Sequence, residues 1–298
     1  MIHYDGCPIC HSGNIQQKFS AKDYTVTGET YMIFQCNDCR GAFTQNVPEV
    51  NEIGKYYASV SYISHSDTNE GLVNQVYHTV RKKTLQQKKD LIVNITGKPT
   101  GNLLDIGCGT GAFLHTMQQA GWQTTGLEPD ETARRKAAEL YQINPLPSGE
   151  LFSLPAEKFD AITMWHVLEH VHELHEYVAQ IKALLKPGGR LIVAVPNFTS
   201  PDALHYQQYW AALDVPRHLY HFSPASMKAL MKLHGLEVLQ TKPMWFDSFY
   251  VSMLSEQYRR GKGNIVGAFL NGFVSNAKAV FDKEKCSSVI YIIRKKAE

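Results

Sequence analysis

The sequence has no long apolar run. No stretch approaches the ~20 consecutive apolar residues of a membrane-spanning helix, and the opening MIHYDGCPICHSGN has neither the basic head nor the apolar core of a secretory signal. We therefore expect a cytoplasmic protein with no membrane partner. The sequence also lacks low-complexity tracts and internal repeats, which argues against linker-rich and repeat architectures.

The chain carries little net charge. Its formal charge is +2 over 298 residues, so the composition predicts no broad attraction to nucleic acid. The lysines of segment 81–90 are interpreted as a solvated helix face, with a local nucleic-acid contact as the alternative. With 44% hydrophobic residues, the chain is long enough for one full core and a smaller module.

Four of the six cysteines form two C-x-x-C pairs, Cys7 with Cys10 and Cys36 with Cys39. In a cytosolic chain this spacing favours one tetrahedral Zn²⁺ ion with four thiolate ligands over disulfides, while redox pairs or incidental thiols are the alternative. Alternating apolar residues around positions 26–29 predict a hairpin between the pairs. Residues 1–46 are therefore predicted to form a zinc ribbon that depends on its metal for much of its folding free energy.

The segment LLDIGCGTGAFLH, residues 103–115, has the pattern of a strand that enters a glycine turn and then a helix. Such turns bind nucleotide-like cofactors. Asp105 lies directly before the turn, where a carboxylate would repel the phosphate of a dinucleotide and suit a cationic ligand. The glycines of the turn are Gly107, Gly109 and Gly111.

Three later segments have the order that a doubly wound sheet needs. The first is a short strand that ends at Glu128, where an acid can accept hydrogen bonds from both ribose hydroxyls. The second is a strand that turns at Trp165 and His166, and the third is a helix end, a Pro-Gly-Gly turn and a further strand. These segments are residues 122–130, 158–171 and 184–197.

Together the four motifs, over roughly residues 99–242, resemble class I S-adenosylmethionine (SAM) dependent methyltransferases. The resemblance implies an α/β fold with a Rossmann-like seven-stranded sheet whose last strand is antiparallel, and SAM as the cofactor. It implies that Asp105 holds the amino-acid end of SAM, and we interpret Cys108 as a small filler beside the cofactor. The implied cofactor-binding residues are Asp105, Gly107, Cys108, Gly109, Gly111, Glu128, Pro129 and Trp165.

The predicted domains are a zinc ribbon over 1–46, a helical linker and cofactor lid over 47–98, and a methyltransferase domain over 99–298. The lid contains an amphipathic helix over about 70–95 and an aromatic segment that either roofs the cofactor or packs in the interior. Two insertions, at about 197–223 and 243–286, are expected to form substrate walls, with an oligomer interface as the alternative for the second. A helix from about Pro224 to His234, capped by Ser223, is predicted at the end of the first, and a helical segment over 264–281 within the second. The aromatic segment contains Tyr56, Tyr57, Tyr62 and His65.

Histidines are the candidate general bases for methylation of a hydroxyl. We rank His166 first and His218 second, and the alternative is that a histidine at a strand end holds its loop. The run HVLEH resembles the E-x-x-E-H magnesium site of some ubiquinone-pathway and RNA-ribose O-methyltransferases, with His166 in place of the first acid. His166, Glu169 and His170 could thus chelate a borderline metal, unless Glu169 only braces its own helix.

The first insertion supplies the candidate substrate-binding residues, for which ordinary packing is the alternative. They are Tyr206, Trp210, Arg217 and His221.

The predicted reaction is O-methylation of a small molecule or a sugar or glycan intermediate. The (D/N)-P-P-(Y/F) loop typical of nucleobase amino methylases is replaced here by Met164-Trp165-His166-Val167. The runs HVLEH and PRHLYHF resemble O-methyltransferases of small molecules and glycans, and sugar C-methyltransferases also carry a four-cysteine module. The alternatives are an RNA methyltransferase that holds RNA with its ribbon and a SAM-binding protein without catalysis; the oligomeric state is left open.

Overall fold

The computed structural model describes residues 1–57, 72–245, 247–261, 276–277 and 279–296. Tyr62, His65 and most of the predicted helical segment 264–281 lie outside these residues. The chain forms two compact units. The first contains residues 1–65, 166–175 and 194–291, and the second contains residues 66–165, 176–193 and 292–298.

The strands and helices of the described residues are numbered in chain order. The strands are β1 (Ile15–Lys22), β2 (Thr30–Cys36), β3 (Ala42–Thr44), β4 (Asn102–Ile106), β5 (Gln123–Leu127), β6 (Phe159–Trp165), β7 (Leu185–Pro196), β8 (Tyr220–His221), β9 (Leu236–Pro243) and β10 (Ser288–Lys295). The helices are α1 (Leu72–Thr96), α2 (Ala112–Gln119), α3 (Glu131–Tyr141), α4 (Leu174–Leu184), α5 (Pro201–Tyr206), α6 (Pro224–Leu233) and α7 (Asp247–Arg260).

Strands β1 and β2 form the predicted hairpin. The carboxylate of Asp23 closes its turn, because it accepts backbone N–H bonds from Thr25 at 2.9 Å, Val26 at 3.2 Å and Thr27 at 2.9 Å. Aspartate favours such turns since its side chain can replace a backbone acceptor. The hairpin prediction around residues 26–29 is therefore confirmed.

The ribbon does not stand alone in its unit. Its sheet has the order β1-β2-β3-β8, and Phe43 in β3 pairs with Tyr220 in β8. One buried apolar cluster also joins ribbon residues such as Ile33 to Trp210 and Leu213 of the first insertion. The first compact unit therefore contains more than the predicted ribbon, because residues 166–175 and 194–291 also belong to it. The predicted domain boundaries at residues 46 and 98 stay a prediction.

The larger sheet has six strands in the order β5-β4-β6-β7-β10-β9, and the expectation of antiparallel last strands is confirmed. Strand β4 is parallel to both neighbours, with Asp105 in register with Gly126 on one side and with Thr163 on the other. The carboxyl ends of β4, β5 and β6 therefore lie at one edge, where ligands of open α/β sheets bind.

The prediction of seven strands was wrong by one. Beyond β5, Leu146 makes only an isolated parallel bridge with Leu127. Its backbone bonds to Gly126 and Glu128 are both 2.9 Å. The segment therefore pairs with β5 at this one position and does not form a strand of the sheet.

The helix predicted after Ser223 is confirmed. Helix α6 begins at Pro224, Ser223 accepts the backbone N–H of Ser226 at 3.1 Å, and the Ser226 hydroxyl accepts the N–H of Ser223 at 2.8 Å. This reciprocal capping explains why the helix begins at that proline. None of the helices in the described part of the chain combines the length and apolarity needed to cross a membrane.

Candidate cofactor and metal sites

The glycine turn after β4 adopts backbone conformations that favour glycine. Gly107, Gly109 and Gly111 have φ values of +71°, +54° and +78°. A Cβ atom on Gly111 would lie 3.1 Å from the Cβ of Ala137, whereas one on Gly109 would meet nothing within 4 Å. Gly111 thus allows close packing of the turn, and Gly109 leaves open space in which a ligand can approach the backbone.

Glu128 holds this turn from the end of β5. It is 8% exposed, and its carboxylate accepts the backbone N–H of Gly109 at 2.8 Å and that of Asp130 at 2.9 Å. Burial raises the pKa of Glu128, and the two N–H bonds oppose that effect. Burial also raises the pKa of the Cys108 thiol, so this side chain is a neutral group inside the turn.

Asp105 is a buried carboxylate at the same edge of the sheet. It is 2% exposed, and the hydroxyl of Thr163 donates to its Oδ1 atom at 2.6 Å. Burial raises the pKa of Asp105 to about 7, although the Thr163 hydrogen bond and the charge of Lys88 oppose the shift. A ligand cation beside Asp105 would therefore stabilise a charge that burial disfavours.

A lysine that the sequence analysis did not single out lies in the same unit. The Nζ atom of Lys88, on α1, is 4.2 Å from the ring centroid of Trp165 and 5.9 Å from that of Phe113. The two aromatic rings meet edge to face at 5.8 Å. Trp165 thus presents its ring face to a cation, which is the geometry of a cation–π contact.

The four ribbon cysteines converge as predicted. Their sulfur atoms lie within 4.8 Å of one another, with 3.7 Å between Cys7 and Cys39 and 3.6 Å between Cys10 and Cys36. All four are free thiols. Tetrahedral zinc with Zn–S bonds of about 2.3 Å requires sulfur atoms about 3.8 Å apart, so the cluster fits one Zn²⁺ ion.

A second cluster joins two distant segments of the first unit. One ligand atom each from Glu169, His170 and His218 lies within 4.8 Å of the others. Glu169 is fully buried, and neither of its carboxylate oxygens has a hydrogen-bond partner among the described residues. The His166 ring balances part of its charge, because Nδ1 lies 3.4 Å from Oε1, and the three converging ligand atoms suit one bound divalent cation.

The tautomers of both histidines also fit a metal. Nδ1 of His170 lies 2.9 Å from the carbonyl oxygen of Arg217, and Nδ1 of His218 lies 2.9 Å from that of Ala212. Because a carbonyl only accepts, each Nδ1 carries the proton and each Nε2 keeps its lone pair. Burial is the largest cause that lowers the pKa of His170 to about 4, so His170 is a neutral ligand near pH 7.

His166 has different surroundings from those expected of a base. Its backbone has a φ of +58°, Nε2 lies 2.9 Å from Oδ2 of Asp247, and Nδ1 lies 3.4 Å from Oε1 of Glu169. Burial works to lower the pKa of His166, but Asp247 and then Glu169 outweigh it and raise the pKa to about 10. The imidazole is thus held as a cation near neutral pH.

The four predicted substrate-binding residues are all buried. Trp210 donates through Nε1 to Asp202 at 2.9 Å, and Tyr206 donates its hydroxyl to Glu256 at 3.3 Å. His221 lies 3.0 Å from the Thr44 hydroxyl. Their contact with a substrate stays a prediction.

Arg217 is the most completely bonded of these four residues. It is fully buried, and its guanidinium donates to Asp214, to Asp23 at 3.1 Å and to the carbonyl of Tyr56 at 2.8 Å. It therefore ties the hairpin turn to the first insertion. Tyr57, from the expected aromatic roof, has its hydroxyl 3.1 Å from Nδ1 of His170.

Comparison with known families gives one match over most of the second unit. Residues 77–241 match the family described as the methyltransferase domain. The matched segment contains the glycine turn, Glu128, Trp165 and the Glu169–His170–His218 cluster.

Two relatives are ubiquinone biosynthesis O-methyltransferases. That of Bordetella avium (strain 197N) is 30% identical over 175 residues, which are 54% of this chain and 70% of the relative. That of Xanthomonas axonopodis pv. citri (strain 306) is 27% identical over 169 residues, which are 50% and 69% of the two chains. For other curated relatives, the match to this chain covers only 50% to 55% of the relative's length.

Among solved structures, the chain is similar to the 1,6-didemethyltoxoflavin-N1-methyltransferase of Burkholderia thailandensis. That structure contains 1,6-didemethyltoxoflavin and S-adenosylhomocysteine (SAH). The sequence identity is 15%, the TM-score is 0.49, and the match covers 88% of this chain and 98% of the other.

Proposed function

The chain belongs to the methyltransferase domain family, as the sequence predicted, and from that premise we propose that it is a metal-assisted O-methyltransferase. The methyl donor is SAM, and the acceptor is a hydroxyl group of a small molecule or a sugar or glycan intermediate. The observation that supports this proposal is the fully buried carboxylate of Glu169, which lies within 4.8 Å of a ligand atom of His170 and of His218, two histidines whose Nδ1 atoms face backbone carbonyls.

The cofactor is assigned to the second unit. Asp105 would attract the ammonium of SAM, and Glu128 would accept hydrogen bonds from the ribose hydroxyls at the edge where it holds Gly109. Trp165 would lie beside the sulfonium, because an aromatic face stabilises a cation. The open space at Gly109 allows the adenosine to approach the backbone.

The divalent metal is assigned to Glu169, His170 and His218. A bound metal would lower the pKa of the acceptor hydroxyl and orient it for methyl transfer. Two imidazoles and one carboxylate suit a borderline metal such as Zn²⁺, Mn²⁺ or Fe²⁺ better than Mg²⁺, which prefers oxygen ligands. The two backbone carbonyls fix the ring orientations, and the charge of His166 stabilises the Glu169 carboxylate.

The ribbon is assigned one structural zinc ion on Cys7, Cys10, Cys36 and Cys39. Burial of Cys7, Cys36 and Cys39 with no free ligand position is typical of structural zinc. Because β3 also pairs with β8, the zinc would support the insertion that contains His218.

The proposal is tested with SAM that carries a deuterated methyl group. Zinc-loaded protein is incubated with pools of hydroxyl-bearing metabolites and, separately, with total cellular RNA, with and without added Mn²⁺. We expect a metal-dependent product that gains one labelled methyl group on oxygen, as located by mass spectrometry and NMR.

The matched control is Glu169→Gln, which should bind SAM and fail to form this product. Label on nitrogen or carbon would contradict O-methylation. Label in RNA alone would favour the RNA methyltransferase alternative, and no product under any condition would favour a SAM-binding protein without catalysis.

A further inference from the structure

The ammonium of Lys88 lies over the face of the Trp165 ring, which is the surface proposed to contact the sulfonium of SAM. Its ammonium lies 4.2 Å from the Trp165 centroid and 5.9 Å from the Phe113 centroid, and its side chain is half-buried. A lysine held this way on two rings is more than a solvated residue of an amphipathic helix, because partial burial strengthens the cation–π contact.

The same ammonium is close enough to Asp105 to act on it electrostatically. The positive charge of Lys88 favours the ionised form of the Asp105 carboxylate, which is otherwise disfavoured by burial. Trp165 follows Thr163 by two positions on β6, and the Thr163 hydroxyl binds Asp105 at 2.6 Å. One aromatic face and one buried carboxylate therefore both interact with the charge of Lys88.

SAM and its product SAH differ in charge at one atom. The sulfur of SAM is a sulfonium cation that carries the transferable methyl group, whereas that of SAH is a neutral thioether without it, and the rest of the two molecules is the same. A cation on the Trp165 face repels the sulfonium, and it has no such effect on the thioether. The charge of Lys88 should therefore weaken the binding of SAM and leave the binding of SAH nearly unchanged.

We infer that Lys88 is a specificity-determining residue of the cofactor site, whose ammonium competes with the sulfonium of SAM for the face of Trp165. This inference rests on the proposed placement of SAM at Asp105, Glu128 and Trp165. In consequence Lys88 weakens the binding of SAM relative to SAH. Removal of the charge should shift the preference toward SAM.

The test compares dissociation constants for SAM and SAH by calorimetry in the full-length, zinc-loaded protein. Lys88→Met keeps an unbranched side chain on the rings and removes the charge. We expect it to tighten SAM binding about fivefold or more and to leave SAH binding within about twofold, as expected for loss of one competing cation at a partly desolvated site.

Two variants serve as controls. Lys88→Arg keeps a cation and should keep the wild-type ratio of the two constants. Lys83→Met makes the same change at an exposed position of the same helix and should also leave the ratio unchanged. Thermal unfolding of each variant identifies any that is not folded, and Lys88→Gln, which also removes the charge, replaces the methionine variant if that one is unfolded.

The outcomes separate this inference from the proposed function. If Lys88→Met weakens SAM and SAH equally, Lys88 binds a group common to both, such as the carboxylate, and the inference is overturned. If its SAM-to-SAH ratio equals that of wild type, Lys88 has no role in discrimination. If wild type binds neither ligand, the cofactor assignment itself fails.

Discussion

Nε2 of His166 lies 2.9 Å from Oδ2 of Asp247, and that contact changes the choice of the residue that acts on the acceptor hydroxyl. Since Nδ1 of the same ring faces Glu169 at 3.4 Å, both ring nitrogens point at carboxylates. His166 therefore stabilises negative charge, whereas His218 directs Nδ1 at the carbonyl oxygen of Ala212 and belongs to the cluster with Glu169 and His170.

We expect His218→Ala to reduce kcat by about 10²–10⁴-fold, the range typical of lost acid–base or metal assistance. His166→Ala should reduce kcat less, because it removes only a neighbouring charge. Steady-state kinetics at saturating SAM measures both. A larger loss in the His166 variant would restore the ranking that the sequence favours and make His166 the base.

Manganese should stabilise the folded protein through the Glu169–His170–His218 cluster. A ligand that binds only the folded state at 100 times its Kd adds about 2.7 kcal/mol, which is about 4 °C in Tm for a protein of this size. Differential scanning calorimetry of zinc-loaded wild type and Glu169→Gln with added Mn²⁺ tests this. An equal rise in the two proteins would place the manganese elsewhere.

Glu128→Ala should weaken SAM binding. The change removes a charged acceptor for the ribose hydroxyls and also the bond that holds Gly109, at a cost of roughly 2–3 kcal/mol, or about 30- to 150-fold in affinity. Calorimetric titration with SAM gives the value. The ribose assignment fails if the affinity of the variant equals that of wild type.

SAM binding should weaken in mild acid because of Asp105. Burial raises the pKa of Asp105 to about 7, so the carboxylate takes up a proton as the pH falls through that value. Below it, the negative charge that attracts the cofactor ammonium is lost, and from about pH 7.5 to 5.5 the affinity should fall about 20-fold.

The matched variant for this effect is Asp105→Asn, which has no proton to exchange at this position. Its SAM affinity, measured by calorimetry over the same pH range, should be lower than that of wild type and nearly constant. A wild-type profile as flat as that of the variant would assign the ammonium to another group.

In the Glu169→Gln background, where the second cluster has lost its carboxylate, the zinc content should be one ion per chain and should depend on the ribbon cysteines. Changing Cys36 and Cys39 together to Ser should abolish it, because two thiolates cannot hold structural zinc. Elemental analysis of protein purified without chelator measures the ratio. Cys286→Ser, a buried cysteine outside the cluster, is the control, and zinc retained in the double variant would disprove the site.

The parts of the fold that the sequence predicted are those with local signals. Strand β4, the glycine turn and the capped helix α6 each depend on neighbouring residues, and all three were found where predicted. The seventh strand was expected only because the family resemblance implied it, and the structure has an isolated bridge between Leu127 and Leu146 in its place.

The metal cluster could be predicted only in part. Glu169 and His170 are adjacent in the sequence, but His218 comes 48 positions after His170 and meets them through the fold. Asp247, which binds His166, comes from the second insertion and has no motif of its own. The sequence pattern places Lys88 among the solvated lysines of an amphipathic helix. Only the structure shows that its ammonium lies over the Trp165 ring.

The pairing of Phe43 in β3 with Tyr220 in β8 has a consequence for synthesis on the ribosome. Translation is directional, so β3 emerges 177 residues before its partner strand does. At typical rates of about 5–20 residues per second, the delay is about 9–35 s. During that time the edge of the nascent ribbon is open to wrong pairings, and early capture of zinc would shorten the period in which its hairpin is unfolded.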